Sequence, residues 1–203
     1  MKSSRTVLQI GSAMLAGVLL FAGPGCSPES PKKTDASHPV VTFKPQEMAD
    51  ALHAVIAADR EAYARQVVQR LAEDKSAKLL EGVKTNGFPP LPAHMLRWAS
   101  ESVQQKGAEF HYVLRSLWPI NANDAPQTAT EKTGLQYLLD HPDSTYYSEE
   151  SLGGRRYFTA VYPDRAIVPA CVECHNQHPD SPKRDFKQGD LMGGLVVRVP
   201  LEF

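Results

Sequence analysis

Met48, Leu52, Val55, Ile56, Tyr63, Val67 and Leu71 recur at the spacing of one helix face, with alanine-rich filling between them. That period predicts a long amphipathic helix ending before Asn86-Gly87. Pro89, Pro90 and Pro92 punctuate the break, and Pro92 suits the first turn of a second helix. On that helix Met95, Trp98, Ala99 and Val103 form the expected inward face, His94, Arg97 and Glu101 point elsewhere, and Gly107 closes it. The period then changes. Glu109 to Leu117 alternates and is rich in aromatic and branched residues, as a strand requires. Trp118 to Pro126 reads as a loop and Thr130 to Asp140 as a short helix. Thr145-Tyr146-Tyr147 and Arg156 to Tyr162 are strand-like and flank the hairpin turn Gly153-Gly154. Met192 to Leu201 supplies a last strand, with Leu195, Val197 and Val199 on one side. Helices first and antiparallel strands afterwards predict an α+β domain with a small sheet.

The N-terminus has a different character. Lys2 and Arg5 precede an apolar run from Val7 to Ala22, followed by Gly23-Pro24-Gly25-Cys26. The run is short for a bilayer-spanning helix and reads as the core of an export signal over residues 1–25. Cys26 then stands where a lipoprotein signal places the cysteine that is lipidated. An uncleaved anchor and ordinary secretion are the alternatives, and all three put the body outside the cytoplasm, in the periplasm or cell envelope. Residues 26–45, with Pro28, Pro31, Pro39 and Pro45 among polar residues, form a flexible tether. The domain occupies 46–203. Length changes little in this picture, since 203 residues suit one domain plus a tail. Charge excludes more: 22 Lys and Arg against 23 acids give a net charge of -1, without the basic field that nucleic-acid binding needs. Three cysteines are too few for a disulfide framework.

The decisive segment is Cys171-Val172-Glu173-Cys174-His175. A C-x-x-C-H run in an exported chain reads as a site of c-type haem attachment. Two thiols three positions apart reach the two vinyl groups on one edge of a porphyrin, and the next side chain turns its imidazole beneath the iron. A zinc site needs four N or S ligands, and Cys171 and Cys174 with His175 or His178 supply only part of a closed set. A thiol–disulfide redox centre belongs at a helix N-terminus near a βαβ unit, whereas this motif is expected between strands. A plain structural disulfide is the remaining alternative.

Around this motif the chain resembles the single-haem c-type sensor-like domains with a PAS-like fold, a family of unknown function. The resemblance rests on Pro169 to Asn176, His178, Ser181-Pro182-Lys183 and Asp185-Phe186-Lys187, and most specifically on Gly189-Asp190-Leu191-Met192-Gly193-Gly194 with the closing strand to Leu201. Ser116 to Pro126 is similar to the family's strand-then-Asn/Pro loop, and Gly153 to Tyr162 to its hairpin. The match covers about residues 46 to 203. It implies a PAS-like antiparallel sheet flanked by N-terminal helices, with one covalently bound haem c held between them. Such domains stand alone in the periplasm or serve as input modules of kinases and cyclases. With the last strand expected to run to the end of this chain, any signal would pass to another protein.

Cys171 and Cys174 are thus the thioether positions and His175 the proximal iron ligand. For the opposite face of the iron, Met95 leads because it lies on the expected inward face. His94 and His53 are the alternatives, with water or an empty position beyond them. Arg115, Arg155 and Arg156 are candidate propionate partners, since a guanidinium matches a carboxylate in paired hydrogen bonds. Tyr157, Phe158 and Tyr162 are expected to line the core or the haem pocket. His111 and His141 read as satisfied or solvent-facing, His178 as a loop hydrogen-bonder, and His38 lies in the tether. No catalytic residue is assigned. The expected function is one-electron transfer or redox sensing, with a redox or signalling partner protein. A diatomic-gas sensor and a small peroxidase are the other readings; each needs an open iron position, and the peroxidase also a placed acid/base group.

Overall fold

The computed structural model describes residues 42–73 and 90–202. The expected leader, Cys26 and nearly all of the tether fall outside the described residues, as does the expected end of the first helix. That helix opens with Pro45 at its first position and with the Lys44 amide donating to Glu47 Oε2 at 3.1 Å. It runs as α1 (Pro45–Tyr63), a π-helical turn (Ala64–Val68) and α2 (Gln69–Glu73). After it come α3 (Pro92–Gln105), β1 (His111–Arg115), a short 3-10 turn (Ala122–Asp124), α4 (Ala129–Asp140), β2 (Tyr146–Leu152), β3 (Arg155–Arg165), α5 (Pro169–Gln177) and β4 (Leu191–Pro200). The fold is α+β, as the sequence predicts.

All strand pairs are antiparallel, in the order β1-β4-β3-β2. Gly153 and Gly154 turn β2 into β3 with φ of 60° and 82°, the left-handed pair that a two-residue hairpin favours. Side chains alternate across the sheet. Leu195, Val197 and Val199 pack with Tyr112, Ala160 and Tyr162 against Ala49 and Ile56 of α1 and Leu96 of α3. Val196 and Val161 face the other way, onto Leu135 and Leu138 of α4. Helices therefore cover both faces, not the N-terminal side alone, and β4 is buried from Met192 to Pro200.

One expectation about α3 needs correction. Its buried residues are Leu96 and Ser100, and Val103 completes the stripe. Of the expected Met95, Trp98, Ala99 and Val103, Val103 keeps its place, while Leu96 and Ser100 stand inward instead of Met95 and Ala99. Ser100 Oγ donates to the Tyr112 carbonyl at 2.6 Å and thereby fixes the rotation of α3 against β1.

Beneath α4 lies a buried charge network. Thr128 caps α4: the Glu131 amide donates to Thr128 Oγ1 at 3.1 Å, and the Thr128 amide donates back to Glu131 Oε2 at 3.3 Å. Glu131, 1% exposed, also receives Arg198 Nη2 at 2.9 Å. Arg198 Nε donates to Glu150 Oε1 at 2.6 Å, and Arg115 Nε stands 3.1 Å from Glu131 Oε2. Burial works to raise the Glu131 and Glu150 carboxyls, but the Gln127 amide and Arg198 at Glu131, and Arg198 and Thr159 at Glu150, outweigh it. Both titrate below the usual carboxylate range. Beside them burial, and then Arg198, push His111 down to about 4.

The acid response can be derived from these directions. His111 stays neutral in the folded chain while its unfolded counterpart takes a proton near pH 6.5, so its contribution to stability is lost between about pH 6.5 and 4. The carboxylates contribute above their unfolded pKa of about 4.3, and that share is lost as the pH falls through their depressed folded values. Urea midpoints should therefore fall steadily from pH 7 to 4, and His111→Gln should make that slope shallower. An equal slope in the two proteins would contradict the assignment. Separately, a methyl at Gly193 would press on the Arg115 carbonyl across the β1–β4 pair. Gly193→Ala is expected to cost about 1–3 kcal/mol in urea unfolding, the scale of overpacking.

Candidate functional site

The Cys-x-x-Cys-His run lies between β3 and β4 in the chain, yet it is helical. Pro169 opens α5 at its first position, which places Cys171 in the first turn and Cys174 and His175 one turn on. The expectation of a motif off any helix N-terminus is therefore corrected. The βαβ unit of a thiol–disulfide centre is still missing, because α5 joins two antiparallel neighbours. Cys171 and Cys174 are not bridged to each other.

Two contacts set the position of α5. The Asn176 side chain pairs with the Phe186 backbone in both directions: Nδ2 donates to the carbonyl at 2.9 Å and the amide donates to Oδ1 at 3.0 Å. On the other side Ala64 and Val68 of the π-helical turn pack on Val168 and Ala170, and the Ala170 amide donates to Gln69 Oε1 at 3.2 Å. Such turns recur at functional sites because an extra residue re-aims the next stretch of helix.

Cys171, Cys174 and His175 all line one cavity of about 300 Å³. Its walls include the first turn of α3 with Pro92, Ala93 and His94, the end of β1 with Leu114 and Arg115, and the adjoining loop with Trp118, Pro119 and Ile120. Gly193 of β4 sits at the same end of the sheet, where it pairs with Asp164 of β3. The register shifts at Asp164/Arg165, a bulge of the kind that re-aims side chains beside sites. Arg60 reaches this edge from α1 and forks onto Asp164, Nε to Oδ1 and Nη2 to Oδ2, both at 2.9 Å.

The His175 ring meets Phe186 edge to face at 5.9 Å. Its Nδ1 is buried and has no hydrogen-bond partner among the described residues. Burial holds the imidazole below its ordinary pKa, with Asp164 pulling up and Arg60 pushing down, so it is held in the neutral form that binds metals. Two thiols and a neutral imidazole on one helix, facing a mostly apolar cavity, suit a large planar ligand with its own metal. Among the described residues no group of three or more His, Cys, Asp or Glu is placed to hold a bare metal ion, which leaves the zinc reading without its closed ligand set.

The other expected site residues divide. His94 is on the cavity wall; Met95, its neighbour, is not. His53 is stacked on Tyr162 at 3.8 Å between α1 and β3, away from the cavity. Arg115 lines the cavity but also serves Glu131 and donates to the Asn123 carbonyl at 2.7 Å. Arg155 and Arg156 are at the opposite end of β3 from Asp164, where they pair with Glu109 and Glu149. They do not meet the cavity. Phe158 and Tyr162 pack in the core, and Tyr157 meets His111 edge to face. His178 lines the cavity rim and accepts from the Asp180 amide at 3.2 Å. His141 is exposed and leans on Tyr137.

Arg60, Asp164 and Asn176 are absent from the sequence-based set. For Arg60 a signal existed: with Ile56, Ala64 and Val68 buried, it occupies the fourth-residue spacing of the inward stripe, where a charge is out of place.

No curated protein matches the chain. Among solved structures it is similar to the crystal structure of the cyanobacterial heme-protein Tll0287, at 20% identity and a TM-score of 0.46, over 78% of this chain and 98% of that one. The family model described as Tll0287-like matches residues 40–200, the whole of the cavity-bearing fold, and the chain belongs to the Tll0287-like family.

Proposed function

We propose that the chain binds one haem c, joined to Cys171 and Cys174 with His175 as the axial base, and serves as a one-electron carrier or redox sensor. The observation that carries the reading is the convergence of all three residues on a single cavity whose α3 wall brings a second imidazole, His94. Membership of the Tll0287-like family, which shares its name with a heme-protein, supports it. When bound, the group supplies reversible one-electron chemistry at iron, with the sixth ligand deciding whether small gases also bind.

The chain's own residues have separable tasks. Cys171 and Cys174 fix the ligand covalently, so the cavity can stay partly open without losing it. Asn176 and Phe186 orient the helix that carries His175. His94 replaces Met95 as the sixth-position ligand in this proposal, because only His94 meets the cavity. Trp118, Pro119 and Ile120 exclude water from the apolar wall. The PAS-like description of the sheet belongs to the same proposal, supported by the placement of the cavity between N-terminal helices and an antiparallel sheet. So do export to the periplasm, lipid anchoring at Cys26 and a redox or signalling partner, which the pattern of residues 1–45 and the single haem motif support.

Two measurements test this. In a host with a working cytochrome-maturation system the intact protein should carry the added mass of one haem, and a Cys171→Ala, Cys174→Ala double variant should carry none. A bare polypeptide mass in the parent protein would remove the proposal. In the holoprotein His94→Ala should convert a low-spin iron to a high-spin one that takes up carbon monoxide, while Met95→Ala leaves the optical and EPR spectra unchanged. A parent protein already high-spin and open to carbon monoxide would shift the reading to the gas sensor.

A further inference from the structure

We propose that Arg60 is a carboxylate-binding residue of this cavity and that it receives a haem propionate; the inference rests on the haem reading above. A guanidinium has five N–H donors in a rigid plane. Asp164 takes the edge formed by Nε and Nη2, with both contacts at 2.9 Å. That fork fixes the plane and leaves the outer nitrogen, Nη1, without an acceptor among the described residues. Nη1 is buried and unpartnered, and the residue is part of the cavity wall. A buried donor on a cation, cut off from water and from protein acceptors, destabilises the fold unless a ligand completes it. An anionic acceptor in the cavity does so, and a carboxylate matches a guanidinium best.

Arg115 also lines the cavity, but its Nε, although without a hydrogen bond, stands 3.1 Å from the Glu131 carboxylate in an ion pair and its Nη1 donates to the Asn123 carbonyl at 2.7 Å. Arg97, paired with Asp124 at 3.1 Å, is not on the cavity wall. Arg155 and Arg156, which the sequence offered for the same task, pair with Glu109 and Glu149 far along β3. Asp164 is thus a positioning residue: its two-point fork holds the Arg60 guanidinium plane in place, so that completing the remaining donor costs little further side-chain entropy.

The test uses the matured full-length holoprotein and resonance Raman spectroscopy of the propionate-bending mode, which responds to hydrogen bonding at the carboxylate and not to activity. Arg60→Gln should move this band to lower frequency. Arg60→Lys, which keeps a cation beside Asp164 but lacks the outer planar donor, should move it in the same direction; it decides the matter if Arg60→Gln does not fold. Arg156→Gln should leave the band in place. Haem attached normally with an unmoved band in the folded Arg60 variants overturns the Arg60 assignment alone. A parent protein without haem overturns the reading on which it rests.

Discussion

The Glu131 carboxylate is buried almost completely beneath α4, and a charge in that position must be met by cations and donors or not be there at all. It closes the cap of its own helix, receives Arg198 from near the end of β4, and draws Arg115 from the end of β1. Glu150 completes the set from β2. Two guanidinium groups and two carboxylates thus join one helix to three of the four strands. Removing one member would strand the others in a medium that cannot solvate them. Register and the placement of α4 are fixed together.

The cavity depends on that constraint. Arg115, held by Glu131, ends β1 opposite Gly194, and Gly193 stands next to it opposite Asp164. A side chain at either glycine would collide, at Gly194 with Val161 Cγ1 at 2.8 Å. The Gly-Gly pair therefore lets three strands converge where the sheet stops. The convergence leaves room for α5 to cross the opening from β3 to β4. The π-helical turn brings Val68 and Gln69 onto α5, and Asn176 ties its far end to Phe186. With the helix held at both ends, Cys171, Cys174 and His175 line the cavity, Cys174 at an exposed position.

Chemically the cavity is asymmetric. One side offers thiols and an imidazole, the α3 side a second imidazole, and the sheet edge two guanidiniums already paired to carboxylates. An apolar macrocycle with a metal at its centre and acidic groups at its rim complements all three. Arg60 and Asp164, paired with each other at the sheet edge, act on the His175 imidazole in opposite directions, while its burial lowers its pKa most.

Local spacing determined much of this protein. The order of helices and strands, the Gly153-Gly154 hairpin, the capped α4 and the Cys-x-x-Cys-His motif at Cys171, Cys174 and His175 are all written within a few residues of chain, where one turn or one pleat sets the pattern. The rotation of α3 is different: Leu96 and Met95 are both apolar, and only the docking of Ser100 on the Tyr112 carbonyl chooses between them. The cavity wall takes His94 and not Met95. Likewise, nothing near Arg60 in sequence names Asp164, 104 positions on, as its partner. Long-range electrostatics needs the packed sheet before a charge can find its complement, so the arginines that matter were decided by tertiary structure and the cysteines by sequence.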